Sequence, residues 1–252
     1  MAPVWRWHEQ VRTGPRVALD WGFTSAEGGV STGSFSGLNL GGHVGDDPAD
    51  VETNRGRVAE AVGLPRERLL FMNQCHGADV HVVDGPWSGP APSVDALVTT
   101  RSDVALAVLV ADCTPVLLAD PAAGVVAAVH AGRPGMLAGI VGRTLAVMRG
   151  LGATTVSAAV GPSVCGRCYE VPPEMRADAA RVSPVSATVS WTGTPAIDVA
   201  GAVVDQLQSY DVPVRWVPGC TRESPDLYSY RRDRRTGRFA GVVRLLPERG
   251  EA

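Results

Sequence analysis

Residues 108–135 read VLVADCTPVLLADPAAGVVAAVHAGRPG. Two apolar runs flank Asp120-Pro-Ala-Ala-Gly124, a turn signal, so the stretch reads as an antiparallel hairpin. A plain hairpin needs no chemistry at its open end. This one places Asp112 and Cys113 ahead of its first run and His130 at the close of its second. With the turn centred near Ala122, His130 falls opposite Thr114, one residue from Cys113. Opposed residues have Cβ atoms roughly 4.5–5.5 Å apart, so thiol and imidazole are expected to meet. A slip of one residue would send them to opposite faces.

Outward from the hairpin, strand-like and helix-like patterns alternate, which predicts an α/β (α+β-like) fold. Strands are expected at Leu69–Met72, Val80–Val83, Val104–Val110, Val116–Ala119, Val125–Val129, Val156–Val160, Ala187–Trp191, Val214–Val217 and Phe239–Leu245. Helices are expected over Pro134–Arg149, Pro172–Arg181 and Val199–Tyr210. A further helix lies in DPADVETNRGRVAEAVGLP (47–65), with Asp47 as cap, Pro48 in its first turn and Gly63 at its end. Its spacing puts Val51, Arg55, Val58 and Val62 on one face. Arg55 there either packs its aliphatic stem with the head in solvent or delivers a guanidinium to a buried anion. GPWSGPAPS (85–93) reads as a loop, and no internal repeat or long linker interrupts residues 1–252, which read as a single domain.

Bulk properties exclude several classes. A net charge of −3 gives no footprint for general nucleic-acid binding. Apolar runs such as Val104–Val110 are too short to cross a bilayer. The opening MAPVWRWHEQVRTG lacks the pattern of a secretory leader, so the cytoplasm is the expected compartment. Cysteines there are expected to be thiols, ligands or nucleophiles.

A thiolate and an imidazole brought together suit zinc. His76, in NQCHGADV, is the best third ligand because it follows a strand-like run and precedes Gly77; His81, inside HVV, reads as structural. Three protein ligands leave a tetrahedral ion one open position, the arrangement of a catalytic zinc. Asp112 could orient a ligand or carry a proton. Buried cysteine also serves as a small hydrophobe, so spacing alone leaves that reading open.

The chain resembles a family once labelled polyphenol oxidase or laccase-domain protein and now described as purine nucleoside phosphorylases with adenosine deaminase activity. The resemblance rests on LNLGGHVGDDPADVETNR (38–55), NQCHGADV (73–80), DALVTT (95–100), ADCTPVLLAD (111–120), AVHAG (128–132), GPSVCGRCYEV (161–171) and YSYRRDRRTGRFAGVV (228–243). It implies one α/β domain with a mixed sheet core flanked by helices, related to toxin deamidase and cysteine hydrolase folds. It implies metal ligands at His76, Cys113 and His130, with zinc as the ion and copper as the other possibility. It places Asn39, Arg55, Gln74 and Asp112 around the pocket. The implied activities are phosphorolysis of adenosine, inosine and methylthioadenosine, and hydrolytic deamination of adenosine, with purine nucleosides and phosphate as partners. Three positions depart from the family pattern. Cys75 replaces a valine, Arg133-Pro134 replaces Trp-Arg, and Cys165 makes CGRC (165–168) a C-x-x-C.

That pair without a second pair is a weak zinc signal, and packing or loop roles are the ordinary reading. SYRRDRRTGR (229–238) is either a solvated turn or a source of phosphate ligands, through Arg231 or Arg232. Other functions remain to be weighed. A copper phenol oxidase of the multicopper type needs more histidines than the five present. A metal-free hydrolase would use Cys113 as nucleophile and His130 as base. A non-catalytic binding module would carry a vestigial site.

Overall fold

Both runs of the hairpin are buried along their whole length, and that burial sets the layering. In the computed structural model, residues 4–13 and 16–246 are described; Met1–Pro3 and the residues after Leu246, part of the expected 1–252 domain, lie outside them. Strands β1 (Trp5–Thr13) and β2 (Arg16–Thr24) precede helix α1 (Pro48–Ala61), then β3 (Leu69–Phe71), β4 (Val80–Val83), β5 (Ala96–Thr99) and β6 (Ala105–Val110). The hairpin follows as β7 (Thr114–Asp120) and β8 (Val125–Ala131), then α2 (Arg133–Leu137), α3 (Ile140–Gly150) and β9 (Ser157–Val160). The last third holds α4 (Pro173–Val182), β10 (Ala187–Val189), β11 (Pro195–Ile197), α5 (Val199–Ser209), β12 (Val214–Trp216), α6 (Tyr230–Asp233) and β13 (Phe239–Leu245).

Two mixed sheets form, in the orders β1-β2-β13-β6-β3 and β12-β9-β7-β8-β5-β4, and β10-β11 pair separately. Alternation explains how they stack, since successive side chains leave opposite faces of a strand. On β7, Leu117 and Ala119 enter the core between the sheets, together with Leu106, Val108 and Val110 of β6 and Val126 and Ala128 of β8. Val116 and Leu118 face the other way, into a core with Ile140 and Leu145 of α3 and Val203 and Leu207 of α5. The outer face of β6, through Ala105, Ala107 and Leu109, packs on Val58 and Ala59 of α1. The result is four layers, helix–sheet–sheet–helix, in an α/β domain with mixed sheets, as expected. Strands covered on both sides read as unbroken apolar runs.

The turn closes one step later than the sequence reading has it. Asp120 pairs with Val125, so His130 opposes Pro115, not Thr114. Asp120 itself fixes the turn by accepting the N–H groups of Ala123, Thr154 and Thr155 at 2.7–3.0 Å. The helix expected over Pro134–Arg149 is two helices, because Gly139 takes a left-handed φ of 77° that ends α2 and starts α3. Helix α1 starts as expected, with Asp47 accepting the Ala49 N–H. No helix among the described residues is long and apolar enough to cross a membrane.

Candidate metal centre and active site

His76 and Cys113 come from two loops and His130 from the end of β8, and they meet at the open end of the hairpin, their ligand atoms within 4.8 Å of one another. Cys113 Sγ lies 3.8 Å from His76 Nε2, and the two imidazoles stand nearly perpendicular at 83°. Metal–ligand bonds of roughly 2.0–2.3 Å at tetrahedral angles put sulfur and nitrogen roughly 3.6 Å apart, so the trio fits one zinc-sized ion. Gly132 makes room: a Cβ there would meet His76 Cδ2 at 2.9 Å and Cys113 Sγ at 3.3 Å.

The hub behind the trio is Asp95, at the head of β5 and fully buried. Its Oδ1 accepts from His130 Nδ1 at 2.8 Å and from the His76 backbone N–H at 2.9 Å. Its Oδ2 accepts from the Gly77 N–H at 2.6 Å and the Cys75 thiol at 3.1 Å. One carboxylate thus turns the Nε2 of His130 toward the thiol and holds the 75–77 loop, in which His76 sits at a φ of 61°. Such a carboxylate–histidine pair fixes the tautomer and raises ligand basicity. Burial works against its ionisation, but His130, Cys75 and Gly77 overcome that and hold the Asp95 carboxyl down at about 2. Burial likewise opposes charge on Cys113 and His130, yet each stabilises the other. The thiol is pulled down to about 6 by His130 and His76, and the imidazole is raised to about 9 by Cys113 and Asp95.

Asp112, read from sequence as a candidate orienter or proton carrier, lines the cavity beside the trio as the resemblance implies, but its carboxylate is bonded to the C-terminal loops rather than to a ligand imidazole. At a φ of 100°, it accepts from the hydroxyls of Thr221 and Ser229 at 2.6 and 2.7 Å and from the Arg231 N–H at 2.6 Å. It ties two C-terminal loops to the ligand loop. The carboxylate on the imidazole is Asp95.

The trio opens on a cavity of about 650 Å³, within the range for small-molecule sites. Gln74 lies on its wall and clamps the end of β6, donating to Leu109 O and accepting from Leu109 N, both at 2.8 Å. Arg231 also lines it, with its guanidinium 4.5 Å from the Tyr169 ring and donating to Glu170 O. Arg133, Arg234 and Arg238 join it on the wall. Asn39 and Arg55 do not. Asn39 is fully buried behind the wall, bonded to Gly41, Asp46 and the Arg238 N–H. Arg55 donates from Nε to Leu40 O and its guanidinium lies 4.4 Å over the Phe71 ring, so the head packs against protein rather than in solvent, which corrects both sequence readings. Arg232 is used up on the carbonyls of Thr221, Ser224 and Leu227.

His43 also lines the cavity. Burial, then Arg238 and Arg55, lower its pKa, so it stands uncharged at neutral pH among the arginines. Asp95 was missed altogether. Its one sequence signal is a carboxylate placed directly before the buried run Ala96-Leu97-Val98.

A purine nucleoside phosphorylase of Streptomyces griseus is 54% identical over 242 residues, covering 94% of this chain and 98% of that one. A purine nucleoside phosphorylase of Mycobacterium tuberculosis is 48% identical, covering 87% of this chain and 89% of its own. Among solved structures, YlmD from Geobacillus stearothermophilus superposes with a TM-score of 0.86 at 32% identity, over 97% of this chain and 99% of that one. Residues 20–246 match a family model, and the chain belongs to that family, described as multi-copper polyphenol oxidoreductase laccase.

Proposed function

We propose that this chain is a zinc-dependent purine nucleoside enzyme, whose reactions are phosphorolysis of adenosine, inosine and methylthioadenosine and hydrolytic deamination of adenosine. The observation that carries the reading is the His76–Cys113–His130 trio facing a nucleoside-sized cavity whose wall holds Arg133, Arg231, Arg234 and Arg238. The names of the relatives support the same class. In phosphorolysis a phosphate oxygen bonds to C1′ of the ribose while the bond to the purine nitrogen breaks. Guanidinium forks bind and orient phosphate, and Arg231, held by Glu170 and Tyr169, is the arginine best fixed for that task. A divalent ion held by the trio would supply Lewis-acid chemistry, which attack on an aromatic C–N carbon requires. Asp95 keeps His130 in the ligating tautomer. One thiolate and two imidazoles also suit copper, so elemental analysis decides the ion. We place the enzyme in the cytoplasm, where thiol ligands stay reduced.

Purified protein with zinc, inosine and phosphate should release hypoxanthine and ribose-1-phosphate, and adenosine should yield inosine. Metal-replete protein that turns over neither nucleoside sinks the reading. The Cys113–His130 charge pair favours a second one, a metal-free hydrolase with a thiolate nucleophile. Activity that survives chelation and dies with iodoacetamide would select it.

A further inference from the structure

A second donor cluster lies apart from the cavity trio. Cys165, Cys168, Cys220 and Glu223 place one ligand atom each within 4.8 Å of the others. The C-x-x-C of CGRC, unpartnered in sequence, meets Cys220-Thr-Arg-Glu223, a C-x-x-E on another loop. The two loops are built alike. In the first, the N–H of Cys168 bonds back to Cys165 O at 2.9 Å; in the second, the N–H of Glu223 bonds back to Cys220 O at 3.1 Å. A parallel bridge between Ser163 and Cys220 sets them side by side. Backbone N–H groups are aimed at the sulfurs: that of Cys165 at Cys220 Sγ, 3.4 Å away, and that of Arg167 at Cys165. Cys168 Sγ and Glu223 Oε1 are 3.3 Å apart.

We propose that Cys165, Cys168, Cys220 and Glu223 form a structural zinc site, independent of the cavity trio. Four protein ligands close a tetrahedral ion, which is the arrangement of structural zinc, and thiolates select thiophilic cations. Three thiolates and a carboxylate leave the filled site with net negative charge. Each loop answers with an arginine at its third position, Arg167 and Arg222, both exposed. The outer ligand is oriented as well: Trp191 Nε1 donates to Glu223 Oε1 at 3.1 Å, and Arg167 sits 5.3 Å over the Trp191 ring. Gly166 allows the first loop to press on Asp198 and Thr188, where a Cβ would meet carbons at 2.8 Å. A neighbouring cavity of about 530 Å³, lined by Cys165 and Cys220, gives the ion access.

The ion would staple the two loops that frame the active cavity. Tyr169 and Glu170, which hold Arg231, directly follow the first loop. Thr221, inside the second, donates to Asp112.

The test is metal stoichiometry on zinc-loaded full-length protein. Wild type should hold two equivalents. The His76→Ala/His130→Ala double variant, which disables the cavity trio, should keep one, and Cys168→Ser/Cys220→Ser should also keep one. With cobalt in place of zinc, the one ion left in the first variant should show strong thiolate charge-transfer absorption from three sulfurs. A double variant of the trio that binds no metal overturns the proposal, as does a Cys168→Ser/Cys220→Ser protein that keeps both equivalents. Wild type alone also decides, should the cysteine variants fail to fold. Iodoacetamide mapping with zinc bound should leave Cys165, Cys168 and Cys220 unlabelled, and chelation should expose all three. Thiols labelled equally with and without zinc, or found paired in a disulfide, overturn it.

Discussion

The two donor clusters use similar atoms to different ends. The cavity trio offers three donors from two loops and a strand end, two of them anchored by one buried carboxylate, and faces open space beside arginines. The cysteine cluster offers four donors from two look-alike turns and faces exposed tryptophan and arginine side chains. Their electrostatics diverge accordingly. Opposite charge stabilises the Cys113 thiolate against burial, whereas burial, then Glu223, drives the Cys168 thiol up. A site for chemistry keeps one coordination position free and is charged in advance; a site for cohesion fills every position and depends on the ion to deprotonate it.

The largest expected effect breaks the open site alone. Lewis-acid assistance is worth several kcal/mol, so Cys113→Ser should cut nucleoside turnover by about 10³-fold. Elemental analysis should show that same variant retaining one zinc. Loss of both ions would mean the clusters are not separate. Next comes Asp95→Asn, which keeps the shape of the hub and removes its charge. Metal affinity at the trio or kcat should fall about 10–100-fold, the usual cost of an outer partner, and isothermal titration against wild type measures it. Cys220→Ser reverses the pattern. It should lower Tm by about 5 °C while the trio still binds metal, and raise the KM for phosphate through Arg231. A melting scan with phosphate kinetics checks both halves, and an unchanged Tm would count against a cohesive role. The smallest effect is chemical. In metal-free protein, alkylation requires the thiolate, so labelling of Cys113 should rise with pH through about 6. Cys165 and Cys168, whose thiols burial raises, should label only at alkaline pH. Peptide mapping across pH 5–10 resolves the three sites.

How much of this was legible follows from range. The hairpin was readable because its apolar runs and the Asp120–Gly124 turn are contiguous. Its register was off by one because turn composition does not say which pair closes the turn. Cys113 reaches His130 regardless, since Cys113 lies ahead of the strand and Asp112 bends the backbone into it. Strands β1, β2, β5 and β11 escaped notice: β5 and β11 are only four and three residues long, and β1 is an edge whose register shifts near Trp7 and Arg12. Strand β5 was not expected from the sequence, so nothing marked the Asp95 that precedes it. Its importance comes from the pairing of β5 with β8, which sets Ala96 beside Val129 and so brings the carboxylate to His130. Cys220-x-x-Glu223 carried no signal alone, because glutamate near cysteine is common and its partner turn is 55 residues away.

The placement of β13 has a consequence for biosynthesis. This late strand lies between β2 and β6, with two formed strands on one side and two on the other. Until Phe239–Leu245 leaves the ribosome, the nascent chain carries two bare strand edges that invite pairing with other chains. Ser229 and the Arg231 backbone, which brace Asp112, emerge only shortly before β13. Polypeptides interrupted before that point should depend on chaperones and lack the ordered wall of the cavity.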